Sequence, residues 1–141
     1  MRYLKVIAQD QSANGQPDTL HVHFYEDEQL QREATQADLL VLKRLGTTYL
    51  KCAWYNAGKG EARHLRIFAE NTTGDSTPET VRLHFHEGTV IAYKAAVRDL
   101  DNDGDFEVIL SSDVDNDGRA DRTDRRRVSS LVREFLKSGW W

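Results

Sequence analysis

The sequence predicts an α+β fold, predominantly β: two tandem repeats of about 60 residues, each strand–loop–strand, form an antiparallel sheet assembly followed by a C-terminal amphipathic helix. Three observations carry this expectation. Laying residues 2–39 over 63–100 gives eleven identities at a constant offset of 61, and an internal duplication is the simplest account. Within each copy the apolar residues alternate: Leu20, Val22 and Phe24 in the first, Val81, Leu83 and Phe85 in the second, with His21, His23, Arg82 and His84 between them. Period two marks a strand with one buried face. After Asp124 the period changes. Val128, Leu131, Val132, Phe135 and Leu136 fall at i, i+3, i+4, i+7 and i+8, the stripe of an amphipathic helix. The chain therefore divides as a single domain, 1–141, with repeats 1–61 and 62–122 and a helix at about 124–137.

Taken in order, Arg2–Ala8 is the first strand, and its counterpart is Arg63–Ala69. Asp10–Asp18 is a loop, and Leu20–Phe24 completes a hairpin; Asn71–Glu79 and Val81–Phe85 repeat the arrangement. A further strand lies near Val90–Ala95. Its counterpart, 28–45, reads two ways. Alone, EQLQREATQADLLVLKRLG has a helix's acidic start, Lys43-Arg44 at its end and Gly46 as a stop. The duplication argues instead for strands at about Gln29–Ala34 and Leu39–Lys43, and that reading is preferred. Thr47–Tyr55 reads as another strand, with Asn56–Gly60 linking the copies. Phe106–Leu110 is a short apolar strand. The helix packs its stripe on the sheet and leaves Arg125, Arg126, Arg127 and Arg133 exposed, closing at Ser138-Gly139.

The chemistry is concentrated in Asp99–Asp124, DLDNDGDFEVILSSDVDNDGRADRTD. D-x-D-N-D-G occurs twice, starting at Asp99 and at Asp113. Carboxylates at loop positions 1, 3 and 5 converge only if the chain curls tightly, and glycine at position 6 permits the curl by taking positive φ without a Cβ clash. Clustered carboxylates repel unless a cation sits among them. Hard oxygen donors without Cys or His select Ca²⁺ over Zn²⁺ or copper. Asp10, Ser12, Asn14, Gly15, Gln16 and Asp18 repeat the pattern with two carboxylates, a weaker candidate for a third ion. In the second copy Asn71, Thr73, Asp75 and Glu79 keep the spacing but have Ser76 where the glycine belongs, a degenerate loop.

These loops resemble the D-x-D-x-D-G calcium loops of EF-hand-like proteins, including dockerin modules and the FG-GAP/VCBS repeats of bacterial surface proteins. The resemblance implies ligation through Asp99, Asp101, Asp103 and Glu107, with the Asp105 carbonyl, in the first loop. In the second it implies Asp113, Asp115, Asp117 and Asp121, with the Arg119 carbonyl. Position 12, a bidentate Glu in true EF-hands, is Leu110 in the first loop and Asp124 in the second. The first loop is therefore closer to the strand-borne FG-GAP/VCBS type, the second to dockerins, since a helix pattern follows it. A repeat of about 60 residues is close to one FG-GAP/VCBS blade, though two copies do not close a propeller.

Composition bounds the rest. With 39% hydrophobic and 30% charged residues and net charge −4, no global basic field argues for nucleic acid. No stretch has the length of a membrane span. The one cysteine, Cys52, forms no internal disulfide and reads as a buried, inert thiol. Met1 implies a cytoplasmic protein if it is the natural start, a periplasmic or extracellular one if a signal peptide was removed. His21/His23 and His84/His86 form H-x-H pairs on strand outer faces, read as solvated histidines. No nucleophile–base pair or phosphate loop is legible, so the expected protein is not an enzyme. The expectation is a calcium-binding protein whose two tandem loops, with two Ca²⁺ ions, order or staple the C-terminal half. The alternative is a calcium-responsive sensor presenting the Arg-rich helix and Trp140-Trp141 to a protein partner. A hydrolase using the loop metal comes third.

Overall fold

The computed structural model describes residues 1–70, 78–99, 108–111 and 122–141, with 108–111 described by backbone alone. In chain order these form β1 (Arg2–Asp10), β2 (Thr19–Glu26), β3 (Gln29–Glu33), α1 (Gln36–Val41), α2 (Lys43–Lys51), β4 (Asn56–Ala57), β5 (Arg63–Glu70), β6 (Thr80–Glu87), β7 (Val90–Arg98), β8 (Val108–Ser111) and α3 (Arg122–Ser138). Seven strands run across one open sheet in the order β3-β2-β1-β5-β6-β7-β8, all neighbours antiparallel, and β4 adds a short parallel pairing to β1. The predominantly β architecture with a C-terminal helix is thus as expected from the sequence.

The two three-stranded halves share their register at an offset of 61. Arg2 faces Glu26 and Arg63 faces Glu87; a bulge interrupts β2–β3 after Phe24 and β6–β7 after Phe85. Backbone hydrogen bonds match as well: Asp27 donates to the Met1 carbonyl (2.9 Å) and Gly88 to that of Ala62 (2.7 Å), Asp18 to Gln9 (2.9 Å) and Glu79 to Glu70 (3.0 Å). At the seam β1 and β5 pair Lys5 with Arg66, which the same offset makes equivalent. An antiparallel pair that matches equivalent residues has a local twofold axis through it, normal to the sheet.

Alternation decides which side chains meet the helices. Leu4, Val6, Ala8, Val22, Phe24, Leu65, Ile67, Val81, Leu83, Phe85, Ala95 and Val97 form one buried face. Leu42, Leu45, Tyr49 and Cys52 of the α2 region and Val128, Leu131, Val132 and Phe135 of α3 cover it, the last four being the stripe read from the sequence. Trp140 docks too: its Nε1 donates to the Tyr25 carbonyl (2.9 Å) and its ring meets Phe24 edge-on.

Two expected strands are corrected. Leu39–Lys43 lies in α1 and the start of α2, and Thr47–Tyr55 contains the end of α2 and the turn after it. The Thr35 side chain accepts from the Asp38 N–H while the Asp38 carboxylate accepts from the Thr35 N–H, a reciprocal cap that starts a helix. Beyond it Leu42, Leu45 and Tyr49 recur at helical spacing and are all buried. Local capping and burial outweigh the expectation drawn from the 61-residue offset here: β7 runs on to Arg98 where the first half leaves the sheet after Glu33. Arg127 is a smaller correction. Instead of standing exposed, it is half-buried and donates to the Lys51 carbonyl.

Asn56 holds the join between the halves. Buried, it donates through Nδ2 to the carbonyls of Ala8 (3.1 Å) and Arg63 (2.8 Å) and accepts from the Arg63 N–H (2.8 Å), standing in for strand backbone. Asn56→Ala leaves these groups without partners and is expected to lower the unfolding free energy by about 2 kcal/mol in a urea titration.

Candidate metal centre

Strand pairing sets the length of the loops. Nine residues lie between the closing pair Gln9–Thr19, nine between Glu70–Thr80 and nine between Arg98–Val108. Three hairpin connections in one sheet therefore have the same span, and the first and third carry Asp at position 1, Gly at position 6 and an acid at position 9.

The first connection is wholly described and shows what this pattern builds. Asp10, buried at the end of β1, accepts through Oδ2 from the Gly15 N–H (2.8 Å), and through Oδ1 from the Asn14 N–H (3.2 Å) and the Ser12 hydroxyl (3.4 Å). Gly15 has φ +84°, the left-handed conformation that the sixth position requires. Asp18 accepts from the N–H groups of Gln11 (3.1 Å) and Ser12 (2.8 Å), and Asn14 Oδ1 takes the Gln16 N–H (3.0 Å). Hydrogen bonds from Ser12, from the Gln11 N–H and from Thr19 hold the Asp18 carboxyl well below the usual carboxylate range. Asp10, Ser12, Asn14, Gln16 and Asp18 are thus gathered in one tight loop. Its two carboxylates are engaged by backbone N–H groups, and no cluster of three or more His, Cys, Asp or Glu side chains arranged for a metal occurs among the described residues.

Of the tandem-loop candidates, Asp99 and Asp124 are described. Asp99 is buried at the end of β7 and donates its N–H to the Glu79 carbonyl (2.8 Å); Asp124 is fully buried in the first turn of α3. The first and last carboxylates of the stretch are therefore fixed in the fold, one on each side of it. Asp101, Asp103, Asp105, Glu107, Asp113, Asp115, Asp117, Arg119 and Asp121 lie outside the described residues, as do Asn71, Thr73, Asp75 and Ser76 of the degenerate loop and Phe106.

A second cluster occupies the sheet face away from the helices, where all five histidines stand. His64 and His86 stack at 4.8 Å, 7° from parallel, and Tyr3 and Tyr25 stack at 5.0 Å, 9° from parallel, at the positions related by the offset. Of the H-x-H pairs, His86 is not solvated as expected but 8% exposed, whereas His21, His23 and His84 are half-buried; His64, outside either pair, is 4% exposed. Burial, reinforced by Lys5, Arg66 and the neighbouring imidazoles, depresses both to about 4. Stacked rings keep their nitrogen lone pairs from converging, which suits neutral packing better than metal ligation. The signal for His64 was present in the sequence only through the offset, which sets it opposite His86 as Tyr3 is set opposite Tyr25.

Comparison with protein-family models, with curated proteins and with solved structures finds no match.

Proposed function

We propose that the chain is a calcium-binding protein, not an enzyme, in which the tandem loops Asp99–Glu107 and Asp113–Asp124 each take one Ca²⁺ and clamp β8 and the start of α3 to the sheet. The observation that carries this reading is the shared nine-residue span. Asp10–Asp18 demonstrates that the span with Gly at position 6 curls around its own first carboxylate. Asp99–Glu107 has the same span with five acids in place of two. The stretch 99–121 carries nine carboxylates against one arginine. Two carboxylates about 4 Å apart repel by roughly 1 kcal/mol in water and more where water is excluded, so a divalent ion offsets a large unfavourable term. The donor set fits: oxygen only, which is what Ca²⁺ prefers. We further infer that the halves arose by duplication, on the support of their matched registers and hydrogen bonds.

The stapling role is favoured over the sensor role by Trp140, whose docking against Phe24 and Tyr25 leaves little of the tail to present. Calorimetric titration of the chelator-treated protein is expected to find two sites. Asp101→Asn with Asp115→Asn weakens both at least about a hundredfold, because each removes a charge from the ligand cage. Asp10→Asn is expected to leave the stoichiometry at two. No uptake at millimolar Ca²⁺, or circular dichroism and melting unchanged by chelation, would sink the reading.

A further inference from the structure

The outer side of α3 carries an arrangement that helix solubility does not require. Arg122, Arg125, Arg126, Ser129 and Arg133 fall at i, i+3, i+4, i+7 and i+11, on the side opposite Val128, Leu131 and Phe135. Together they line one open groove of ≈ 270 Å³. All four arginines are exposed, and among the described residues no carboxylate shares the lining. None of the four makes an ion pair or hydrogen bond among the described residues, whereas Arg127, one residue away, is spent on the Lys51 carbonyl. Like charges at these spacings disfavour the helix by a few tenths of a kcal/mol per pair, and mixed Glu and Lys would have been the stabilising surface. A second groove, of ≈ 390 Å³, continues from the first through their shared Arg133 and adds Arg44 and Lys137. Its one carboxylate among the described residues, Glu134, is paired with Lys137 at 3.1 Å. Guanidinium forks match the oxygens of phosphate two at a time, and the row from Arg122 to Arg133 extends about 16 Å along the helix.

We propose that this groove is a binding site for a soluble anion carrying two or more phosphate groups. Four exposed guanidiniums along one helix face, with no acid among the described lining residues, supply more positive charge than a single phosphate needs. α3 has its apolar stripe buried in the core, which leaves no hydrophobic face for entering a bilayer and separates this site from a membrane anchor.

The test is titration of the full chain with inorganic tripolyphosphate in calcium-free buffer at about 0.1 M salt, where distant surface charges are screened. Calcium-free conditions keep tripolyphosphate, itself a chelator of divalent ions, from being consumed by Ca²⁺. Saturable one-to-one binding is expected, weakened at least tenfold by Arg125→Gln/Arg126→Gln/Arg133→Gln and at least threefold by the corresponding three Lys substitutions, which keep charge but lose the fork. Lys43→Gln/Lys51→Gln, outside the groove, is expected to leave affinity unchanged. These positions are exposed, and unchanged circular dichroism establishes that the variants fold. Absence of saturation at millimolar tripolyphosphate, equal loss with the control pair, or binding only to vesicles of anionic phospholipid would each overturn the proposal.

Discussion

Acidification from pH 7 to pH 5 in calcium-free buffer is expected to lower the unfolding free energy by about 3 kcal/mol, most of it from His64 and His86. Both sit on the outer sheet face yet are nearly inaccessible, and loss of solvent is the first reason their imidazoles resist protonation. Lys5, His86 and Arg66 add positive field at His64; Arg66, His84 and Lys5 do so at His86, where Glu28 opposes them. His86 Nδ1 has no hydrogen-bond partner, so an added proton there would be buried without an acceptor. The folded value of about 4 lies below the unfolded one of about 6.5, so the unfolded chain takes up protons first as pH falls. Stability is then full above about pH 6.5 and declines steadily towards pH 4. His23 and His84 shift the same way, first through burial. Urea titrations at pH 7, 6 and 5 measure the slope. His64→Tyr/His86→Tyr, which repeats the Tyr3/Tyr25 stack, is expected to flatten it, and a slope unchanged by that double variant would place the proton uptake elsewhere.

How much of this was legible follows from the range over which each signal acts. The α3 stripe was readable because Val128, Leu131, Val132 and Phe135 bury one face of one continuous helix. The hairpins were readable because alternation and the 61-residue offset agree along β1, β2, β5 and β6. Leu39–Lys43 was misread because the offset argued for a strand where a cap argued for a helix, and Thr47–Tyr55 because its own residues were read as a strand. Thr35 and Asp38 supply that cap, and Leu42, Leu45 and Tyr49 the helical spacing behind it. In the second half Asp99 stands where Asp38 stands in the first. The carboxylate that caps a helix in the first half follows the end of β7 in the second, so the expectation of a repeat supplied the wrong answer. Long-range matters were not legible at all. The stack of His64 on His86 and the Asn56 bridge between β1 and β5 depend on register across the seam, which no window of sequence contains.

Phe135→Ala is expected to lower stability by about 4 kcal/mol, and calcium is expected to restore the whole of that loss. Phe135 is fully buried in the core shared by α3 and the sheet, among the largest side chains with no exposure, and removing its ring leaves a cavity there. A loss of that size is a large fraction of the 5–15 kcal/mol typical of a domain, so the chelated variant melts well below the parent. In the proposed reading the ions act on the same element from its other end, since Asp124 closes the second loop and lies in the first turn of α3. Each ion that binds only the folded chain adds RT ln(1 + [Ca²⁺]/Kd), about 2.7 kcal/mol at a hundred times Kd, or roughly 5 kcal/mol for two. That exceeds the cavity term, so the calcium-loaded variant should melt at or above the chelated parent. Thermal scans of both proteins with and without chelator make the comparison directly. If Phe135→Ala is destabilised as expected but calcium raises neither melting temperature, packing holds α3 without help from the loops and the stapling role fails. If calcium raises both by the same free energy, ion binding and helix packing stabilise the fold additively through one shared element.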